Sequence, residues 1–243
     1  MNSIIICEGS TDSVLLQYFL RNAYQWEDTS EKPPLRTMFK TFRKLKKGGR
    51  SVCIGGCGGA SQILNKFDKI LERNSLAAEH EEYDKIVILT DRDELETEED
   101  FCREIQRIIV NRYVQTNQAI TNDEWIPCTM ANGQGQYISV DILLLVIPFE
   151  QTGAMEIFLL NAIAETDNYD RAIINQGNVF VDSVDPQQRY LSKRRFVTKA
   201  KFDVYFSVRT AAEQFTERQS ILKNIPWEQY LLLQDSFKKF GDL

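Results

Sequence analysis

The segment Ser3–Asp12, SIIICEGSTD, decides the fold of this chain. Its apolar part, Ser3–Cys7, is short and β-branched, which is typical of a strand buried on both faces. Glu8 follows that run directly, and residues Asp12–Ala23 carry apolar side chains at helical spacing. The segment therefore predicts a strand and a helix that are joined by a turn beginning with a carboxylate.

Three further apolar runs continue the same alternation of strand and helix. The predicted strands are Ser51–Ile54, Lys85–Leu89 and Val140–Ile147. The helices predicted after them are Ala60–Glu72, Thr97–Arg112 and Gly153–Ala164. Short buried strands that alternate with helices indicate βαβ units, so we expect an α/β protein with a mainly parallel sheet flanked by helices.

The chain is predicted to form one α/β core with a helical tail. We expect the core over residues 1–167 and a mostly helical extension, residues 168–243, packed on it. The pattern of the extension is helical especially over Lys199–Asn224 and Trp227–Phe240. Within the core, residues 25–50 form a polar and then basic insertion, which is predicted as a loop or a partly helical segment.

Charged residues are unevenly distributed over a chain whose formal net charge is −6. Residues 36–50 contain seven basic side chains and residues 189–201 contain six, with no acidic residue in either run. Such separation suits a protein that binds phosphates with one surface and metal with another, and the alternative for each run is a solvated basic face. The candidate nucleic-acid-binding residues are Lys44, Lys46, Lys47, Arg50, Arg194, Arg195 and Lys199.

The sequence shows no signal peptide or membrane span, because the apolar run before Glu8 is too short for either. The five cysteines are odd in number and scattered, so we expect reduced thiols and a cytoplasmic location. Cys53 and Cys57 are expected to be packed thiols rather than zinc ligands. The sole histidine, His80, lies among glutamates and is expected at the surface.

Three carboxylates are predicted to converge at one edge of the sheet. Glu8 follows the first strand directly, and Asp91 and Asp93 follow the third. Ligands of open parallel sheets bind outside the carboxyl ends of the strands, and carboxylate oxygens at such an edge suit Mg²⁺. The alternatives are that Asp12 caps a helix and that the Asp91–Asp93 pair is solvated.

The order of these segments resembles the TOPRIM domain of topoisomerases, bacterial primases, small RNA maturases and OLD (overcoming lysogenisation defect) nucleases. The matching segments are IIICEGSTD (Ile4–Asp12), VCIGGCGG (Val52–Gly59) and IVILTDRDE (Ile86–Glu94). The resemblance covers roughly residues 3–165 and implies a Rossmann-like α/β fold. The Glu-Gly and Asp-x-Asp parts are specific when they occur in this order.

Two later segments resemble the OLD-like and stand-alone branch of that family. PFEQTGAMEIFLL (Pro148–Leu160) is similar to its additional acidic motif, with Glu156 as the better match and Glu150 as a second candidate. TKAKFDVYFSV (Thr198–Val208) is similar to its lysine-bearing segment, so that Lys201 or Lys199 would contact a phosphate. The resemblance implies Mg²⁺- or Mn²⁺-dependent phosphodiester cleavage with two ions. The implied catalytic residues are Glu8, Asp91, Asp93 and Lys201, and the implied metal ligands are Glu8, Asp12, Asp91, Asp93 and Glu156.

The leading hypothesis is a metal-dependent nuclease that acts on nucleic acid, with DNA favoured and RNA left open as the substrate, and with a role in defence against phage implied by the resemblance alone. The alternative is a TOPRIM binding or regulatory module that does not cut, or that a separate ATPase partner inhibits. The chain has no Walker A sequence, so any ATPase would be a separate protein. A homodimer is a further possibility, and no membrane partner is expected.

Two features of the sequence each allow two interpretations. The glycine cluster Gly55–Gly59 can cradle a phosphate through backbone amides, or it can let the chain pass close beside the acidic site. The aromatic residues Phe202, Tyr205, Phe206 and Phe215 fall at helical spacing, which favours a helix core over a surface on which bases stack.

Overall fold

The computed structural model describes residues 1–31, 34–212 and 218–243. In this part of the chain one sheet contains seven strands in the order β2-β3-β4-β1-β5-β7-β6. The strands are β1 (Asn2–Cys7), β2 (Glu27–Asp28), β3 (Thr41–Lys47), β4 (Arg50–Gly56), β5 (Lys85–Asp91), β6 (Trp125–Ala131) and β7 (Tyr137–Ile147).

The centre of the sheet is the parallel set β4-β1-β5-β7. These are the four strands that the apolar runs predict, and each is completely or almost completely buried in its apolar part. The α/β fold with a mainly parallel sheet is therefore confirmed. Because the four strands are parallel, their carboxyl ends lie along one edge, and the segments that follow β1, β4, β5 and β7 share that edge.

The prediction of a loop or partly helical segment is right for the start of the first basic run, where Pro34–Met38 forms a short 3₁₀ helix, and wrong for the rest of that run. Its second half is strand β3, which pairs with β4 in an antiparallel hairpin. The two linking residues, Gly48 and Gly49, both have positive φ angles of 50° and 78°, as a tight hairpin turn requires. Only Leu45 of β3 is fully buried, so the strand has too few apolar residues to be recognised by its pattern.

Strand β6, which was not predicted, pairs antiparallel with β7 at the other side of the sheet. Its side chains alternate between buried and exposed, as expected for a strand with one solvated face. Pro127 lies inside it, and a proline within a short run argues against a strand when only the sequence is known. The edge position explains why the proline is tolerated.

Helices cover both faces of the sheet. They are α1 (Ser10–Tyr24), α2 (Ile63–Leu76), α3 (Thr97–Asn111), α4 (Met155–Thr166), α5 (Asn168–Val184), α6 (Arg194–Arg209), α7 (Arg218–Asn224) and α8 (Leu231–Ser236). One core contains buried residues of α2 and α3, and the other contains buried residues of α1, α4 and α6. No helix in the described ranges is long and apolar enough to cross a membrane.

The carboxyl-terminal region is helical, as predicted, and it packs against α1 and α4. Phe237 lies 5.1 Å from Phe19 and 6.2 Å from Phe158, measured between ring centroids. The helical pattern over Lys199–Asn224 corresponds to two helices, because α6 ends at Arg209 and α7 begins at Arg218. The predicted core residues Phe202, Tyr205 and Phe206 are buried, whereas Phe215 lies outside the described residues.

Candidate active site

A cleft of about 480 Å³ opens at the carboxyl edge of the parallel strands. One part of its lining carries the carboxylates of Glu8, Asp12, Asp91, Asp93 and Glu156. The other part is the start of α6, which contributes the side chains of Arg194, Arg195, Thr198 and Lys199. The structure thus brings together all five carboxylates that the sequence indicated, and it places cations in the same cleft.

The glycine cluster after β4 fixes the backbone of Glu8. The N–H groups of Gly58 and Gly59 donate to the carbonyl oxygen of Glu8, at 2.8 Å and 3.0 Å. Gly56 packs against the next turn, because a Cβ at this position would lie 2.8 Å from the carbonyl oxygen of Gly9. These contacts fit the interpretation in which the chain passes close beside the acidic site. Two amides that could have held a phosphate are used by Glu8.

Asp12 serves the first turn of α1 and the cleft at the same time. Its Oδ2 accepts a hydrogen bond from the backbone N–H of Gly9 at 2.7 Å, so the helix-capping interpretation holds. The side chain is only 5% exposed, and yet it contributes to the cleft wall. A capping role and a role in the cleft are therefore compatible for this carboxylate.

Asp91 connects strand β5 to helix α4. Its Oδ1 accepts a hydrogen bond from the backbone N–H of Met155 at 3.0 Å, which draws the first turn of α4 to the strand end. Glu156 is the next residue, and its buried side chain lines the cleft. Glu150, the second candidate for the additional acidic residue, is exposed and is not part of the cleft lining.

The carboxylates raise one another's pKa values in a partly buried setting. Burial, followed by the charges of Asp12 and Asp93, raises the pKa of Glu8 from 4.5 to about 7. Burial also raises the pKa of Asp12 to about 6, against the lowering effect of the Gly9 N–H. The pKa of Asp91 is raised by burial and then by the charges of Asp12 and Glu8. The pocket therefore concentrates negative charge that a cation would neutralise.

Glu8 also has an oxygen without a hydrogen-bond partner. Its Oε2 is buried and accepts no hydrogen bond from any residue that the structure describes. A buried polar atom normally has a partner, so an orphaned carboxylate oxygen in a cleft needs an explanation. A divalent cation coordinated by this oxygen would supply one, and the all-oxygen donor set of the cleft fits Mg²⁺ or Mn²⁺.

The carboxylates do not form a closed metal cage. Across residues 1–31, 34–212 and 218–243, no three histidine, cysteine, aspartate or glutamate side chains converge closely enough to count as a formed metal site. Mg²⁺ in phosphate-processing sites keeps several waters and uses one or two carboxylates together with substrate phosphates. An open arrangement such as this cleft suits that mode of binding.

The helical phase of α6 decides which lysine faces the acidic residues. Lys199 lines the cleft, and its charge lowers the pKa of Asp12. Lys201 lies two residues further on, which is more than half a turn around the helix. Its Nζ is 2.9 Å from a carboxylate oxygen of Asp182 on α5. The structure therefore places Lys199 in the position that the sequence assigned first to Lys201.

The candidate residues of the first basic run lie away from the cleft and have partners of their own. Lys44 and Lys46 form ion pairs with Glu31, the first at 2.7 Å. The Nζ of Lys47 donates to the carbonyl oxygen of Tyr24 at 2.8 Å, and Arg50 donates to the carbonyl oxygen of Leu243 at 2.7 Å. None of these four side chains lines the cleft. Their contacts hold the β3–β4 hairpin against the rest of the fold.

Sequence reasoning missed three polar residues that line the cleft, Ser10, Thr11 and Thr198. Thr198 lies one turn into α6 and lines the cleft, but an isolated threonine carries no signal in the sequence.

Comparisons with known proteins bear on family and fold. A family model described as "Protein of unknown function (DUF3226)" matches residues 2–238. No curated protein matches the chain. Among solved structures, a hypothetical protein from Pyrococcus horikoshii OT3 aligns with a TM-score of 0.52 and 14% sequence identity over 99% of each chain. A putative glyoxalase family protein from Bacillus anthracis aligns with a TM-score of only 0.21 and 9% identity, over 59% of this chain and 93% of that chain. The first likeness supports the fold alone.

Proposed function

The chain belongs to the DUF3226 family, and from the composition of its cleft we propose that it is a Mg²⁺- or Mn²⁺-dependent nuclease that cleaves nucleic-acid phosphodiesters. One observation carries the proposal. The buried, unpartnered Oε2 of Glu8 lies in a cleft whose lining combines five carboxylates with the cations of α6. Carboxylate oxygens are the usual ligands of Mg²⁺, and arginine and lysine side chains pair with the oxygens of a phosphate.

A purely structural explanation of the cleft is less satisfactory. Burying several carboxylates beside one another costs free energy, as the raised pKa values of Glu8, Asp12 and Asp91 show. Structural requirements alone would favour apolar or neutral side chains at these positions. Perturbed carboxylates that gather in a cleft are typical of functional sites.

The residues of the cleft divide into two roles. Glu8, Asp91 and Asp93 would hold the metal, with Asp12 and Glu156 completing the site. A bound divalent ion would polarise the phosphodiester and lower the pKa of an attacking water. Arg195 and Lys199 bind the phosphate oxygens and stabilise the negative charge that develops on them.

The TOPRIM-like order of Glu-Gly and Asp-x-Asp supports the same activity. By the same resemblance, a role in defence against phage or mobile DNA is part of the proposal. The competing hypothesis is a module that binds but does not cut, or that acts only when a separate ATPase releases it. The two hypotheses differ in whether the isolated chain cleaves nucleic acid.

The direct experiment incubates the purified protein with supercoiled plasmid, linear duplex DNA, single-stranded DNA and RNA, each in Mg²⁺, Mn²⁺ or EDTA. Asp91→Asn removes the charge but keeps an oxygen that can accept from the Met155 N–H. Glu81→Gln is the matched control, because Glu81 is exposed and precedes β5, at the opposite edge of the sheet.

We expect metal-dependent cleavage by the wild type and by Glu81→Gln, and none by Asp91→Asn. Equal cleavage by wild type and Asp91→Asn would exclude this acidic site. Absence of cleavage by every form, on all four substrates, would favour the module that binds without cutting.

A further inference from the structure

The segment that links α5 to α6 and the first turn of α6 each present one aromatic ring to solvent. Tyr190 is 71% exposed, and Phe196, in the first turn of α6, is 37% exposed. Both lie in the second basic run, RYLSKRRF (residues 189–196). The aromatic residues first considered for base stacking, Phe202, Tyr205 and Phe206, are buried in the core. Tyr190 and Phe196 are therefore the two exposed aromatic residues of the second basic run.

The linking segment has a defined conformation. The carboxylate of Asp185 accepts hydrogen bonds from the backbone N–H groups of Arg189, Tyr190 and Leu191, at 3.1, 2.7 and 2.8 Å. Three bonds to one side chain fix the backbone from which the Tyr190 ring projects. A ring on a fixed backbone loses less conformational entropy when a ligand stacks on it than a ring on a mobile loop.

Cations surround both rings. The guanidinium carbon of Arg189 lies 5.3 Å from the Tyr190 ring centroid. Arg195 and Lys193 lie 5.0 Å and 5.9 Å from the Phe196 ring centroid, measured from the guanidinium carbon and from Nζ. No described carboxylate is within ion-pair distance of Arg189, Lys193 or Arg195. The charges of these three residues are therefore available to an anionic partner.

This surface continues into the cleft. Arg194 and Arg195 line the cleft, and Phe196 follows them directly. Tyr190 precedes Arg194 by four residues, which is at most about 14 Å of extended chain. A polynucleotide that contacts the rings would therefore reach the carboxylates within a few nucleotides.

We infer that residues 189–196 form a stacking platform for single-stranded nucleic acid, with Tyr190 and Phe196 stacking on bases and Arg189, Lys193 and Arg195 contacting phosphates. The inference rests on the proposed function for its account of why a strand would be led to the carboxylates. A base can stack on a protein ring only when it is not already stacked between its neighbours in a duplex. The platform therefore selects single strands over duplexes.

The test measures binding of a fluorescently labelled oligothymidylate of about 15 nucleotides by anisotropy, in EDTA and at low salt. The same measurement uses an abasic strand of equal length and a duplex. The variants are Tyr190→Ala and Phe196→Leu, with Tyr190→Phe as the conservative form that keeps a ring. Tyr169→Ala is the matched control, because Tyr169 is a 76% exposed tyrosine at the start of α5, outside the platform.

We expect Tyr190→Ala and Phe196→Leu each to weaken binding of oligothymidylate at least ~5-fold, as the loss of one stacked base predicts. Tyr190→Phe and Tyr169→Ala should bind like the wild type. All forms should bind the abasic strand equally, and the duplex should bind more weakly than oligothymidylate.

Three results would overturn the inference. They are wild-type affinity of both ring variants for oligothymidylate, equal losses on the abasic strand, and no binding of oligothymidylate by the wild type. The assay contains no metal, so its outcome is independent of cleavage. A protein that stacks single strands but never cuts would refute the proposed function and leave the platform standing.

Discussion

At the scale of single residues, Glu8 makes the stability of the fold dependent on pH. Its pKa is raised from 4.5 to about 7, chiefly by burial. Between these values the folded chain binds more protons than the unfolded chain. The contribution of Glu8 to the free energy of unfolding is therefore fully present below about pH 4.5 and is lost as the pH rises through 7.

We accordingly predict that Glu8→Gln, in EDTA, increases the free energy of unfolding above pH 7 by ~1–2 kcal/mol. The rise of the pKa from 4.5 to about 7 corresponds to about 3 kcal/mol at about 1.4 kcal/mol per pKa unit, and the partial exposure of Glu8 to solvent reduces this value. The difference between variant and wild type should shrink as the pH falls toward 4.5. Urea denaturation at several pH values measures it, with Glu81→Gln as the control. A difference that does not vary with pH would show that the Glu8 carboxyl is not perturbed as described.

Lys199 and Lys201 offer a second comparison at the residue scale. Lys199→Met should reduce cleavage by ~100-fold or more, because it removes from the cleft wall a cation that, in the proposed function, binds the phosphate. Lys201→Met should retain cleavage and lose only its ion pair with Asp182, which contributes at most about 1 kcal/mol of stability. Cleavage rates of both variants with the same substrate decide the matter. A larger loss in Lys201→Met would restore the assignment suggested by the sequence.

Single residues were predictable where the sequence fixes their position along a strand. Glu8 and Asp91 follow buried apolar runs, so the sheet edge on which they lie follows from the sequence. The choice between Lys199 and Lys201 does not follow from the sequence, because it depends on the rotation of α6 about its axis relative to the sheet. The local sequence does not specify that rotation.

At the scale of elements, the close contact between β4 and the turn after β1 positions Glu8. A Cβ at Gly56 would lie 2.8 Å from the Gly9 carbonyl oxygen, whereas a Cβ at Gly9 would meet nothing closer than 3.8 Å. Gly9 has a φ of −136°, which any residue can adopt. The two glycines beside the same carboxylate therefore differ in what they tolerate.

We predict that Gly56→Ala lowers the free energy of unfolding by ~1–3 kcal/mol, because the added methyl group has no space. Gly9→Ala should change it by no more than about 0.5 kcal/mol. Thermal unfolding of the two variants is the measurement. Equal destabilisation by both would mean that the approach of β4 to the turn is looser than described.

The more completely a strand is buried, the more readily its sequence predicts it. The four central strands are apolar along nearly their whole length, so their sequences are recognisable without the fold. Strands β3 and β6 each have one solvated face. β3 contains lysines and β6 contains a proline, and such residues are tolerated in strands near the sides of a sheet. Their existence depends on the neighbours with which they pair, which a local pattern does not contain.

At the scale of the whole molecule, the carboxyl-terminal region and the α/β core share one hydrophobic cluster. Phe237 and Phe240 are completely buried with Phe19 of α1, and the two carboxyl-terminal rings stack at 5.1 Å.

We predict that Phe237→Ala costs ~3–5 kcal/mol of stability and that unfolding remains a single transition. Leu231→Ala, at a 71% exposed leucine of α8, is the control and should cost less than about 0.5 kcal/mol. Unfolding is monitored by circular dichroism in urea. A separate transition at lower urea concentration, in which the carboxyl-terminal region unfolds before the core, would contradict this account.

The central claim is that the acidic cleft binds a divalent metal, and calorimetric titration with Mn²⁺ tests it most directly. The titration belongs at pH 8, above the pKa of Glu8, where protons compete less with the ion for this carboxylate. We predict saturable binding to the wild type and to Glu81→Gln, and loss of binding in Asp91→Asn. Undiminished binding to Asp91→Asn, or no binding to the wild type, would contradict the claim.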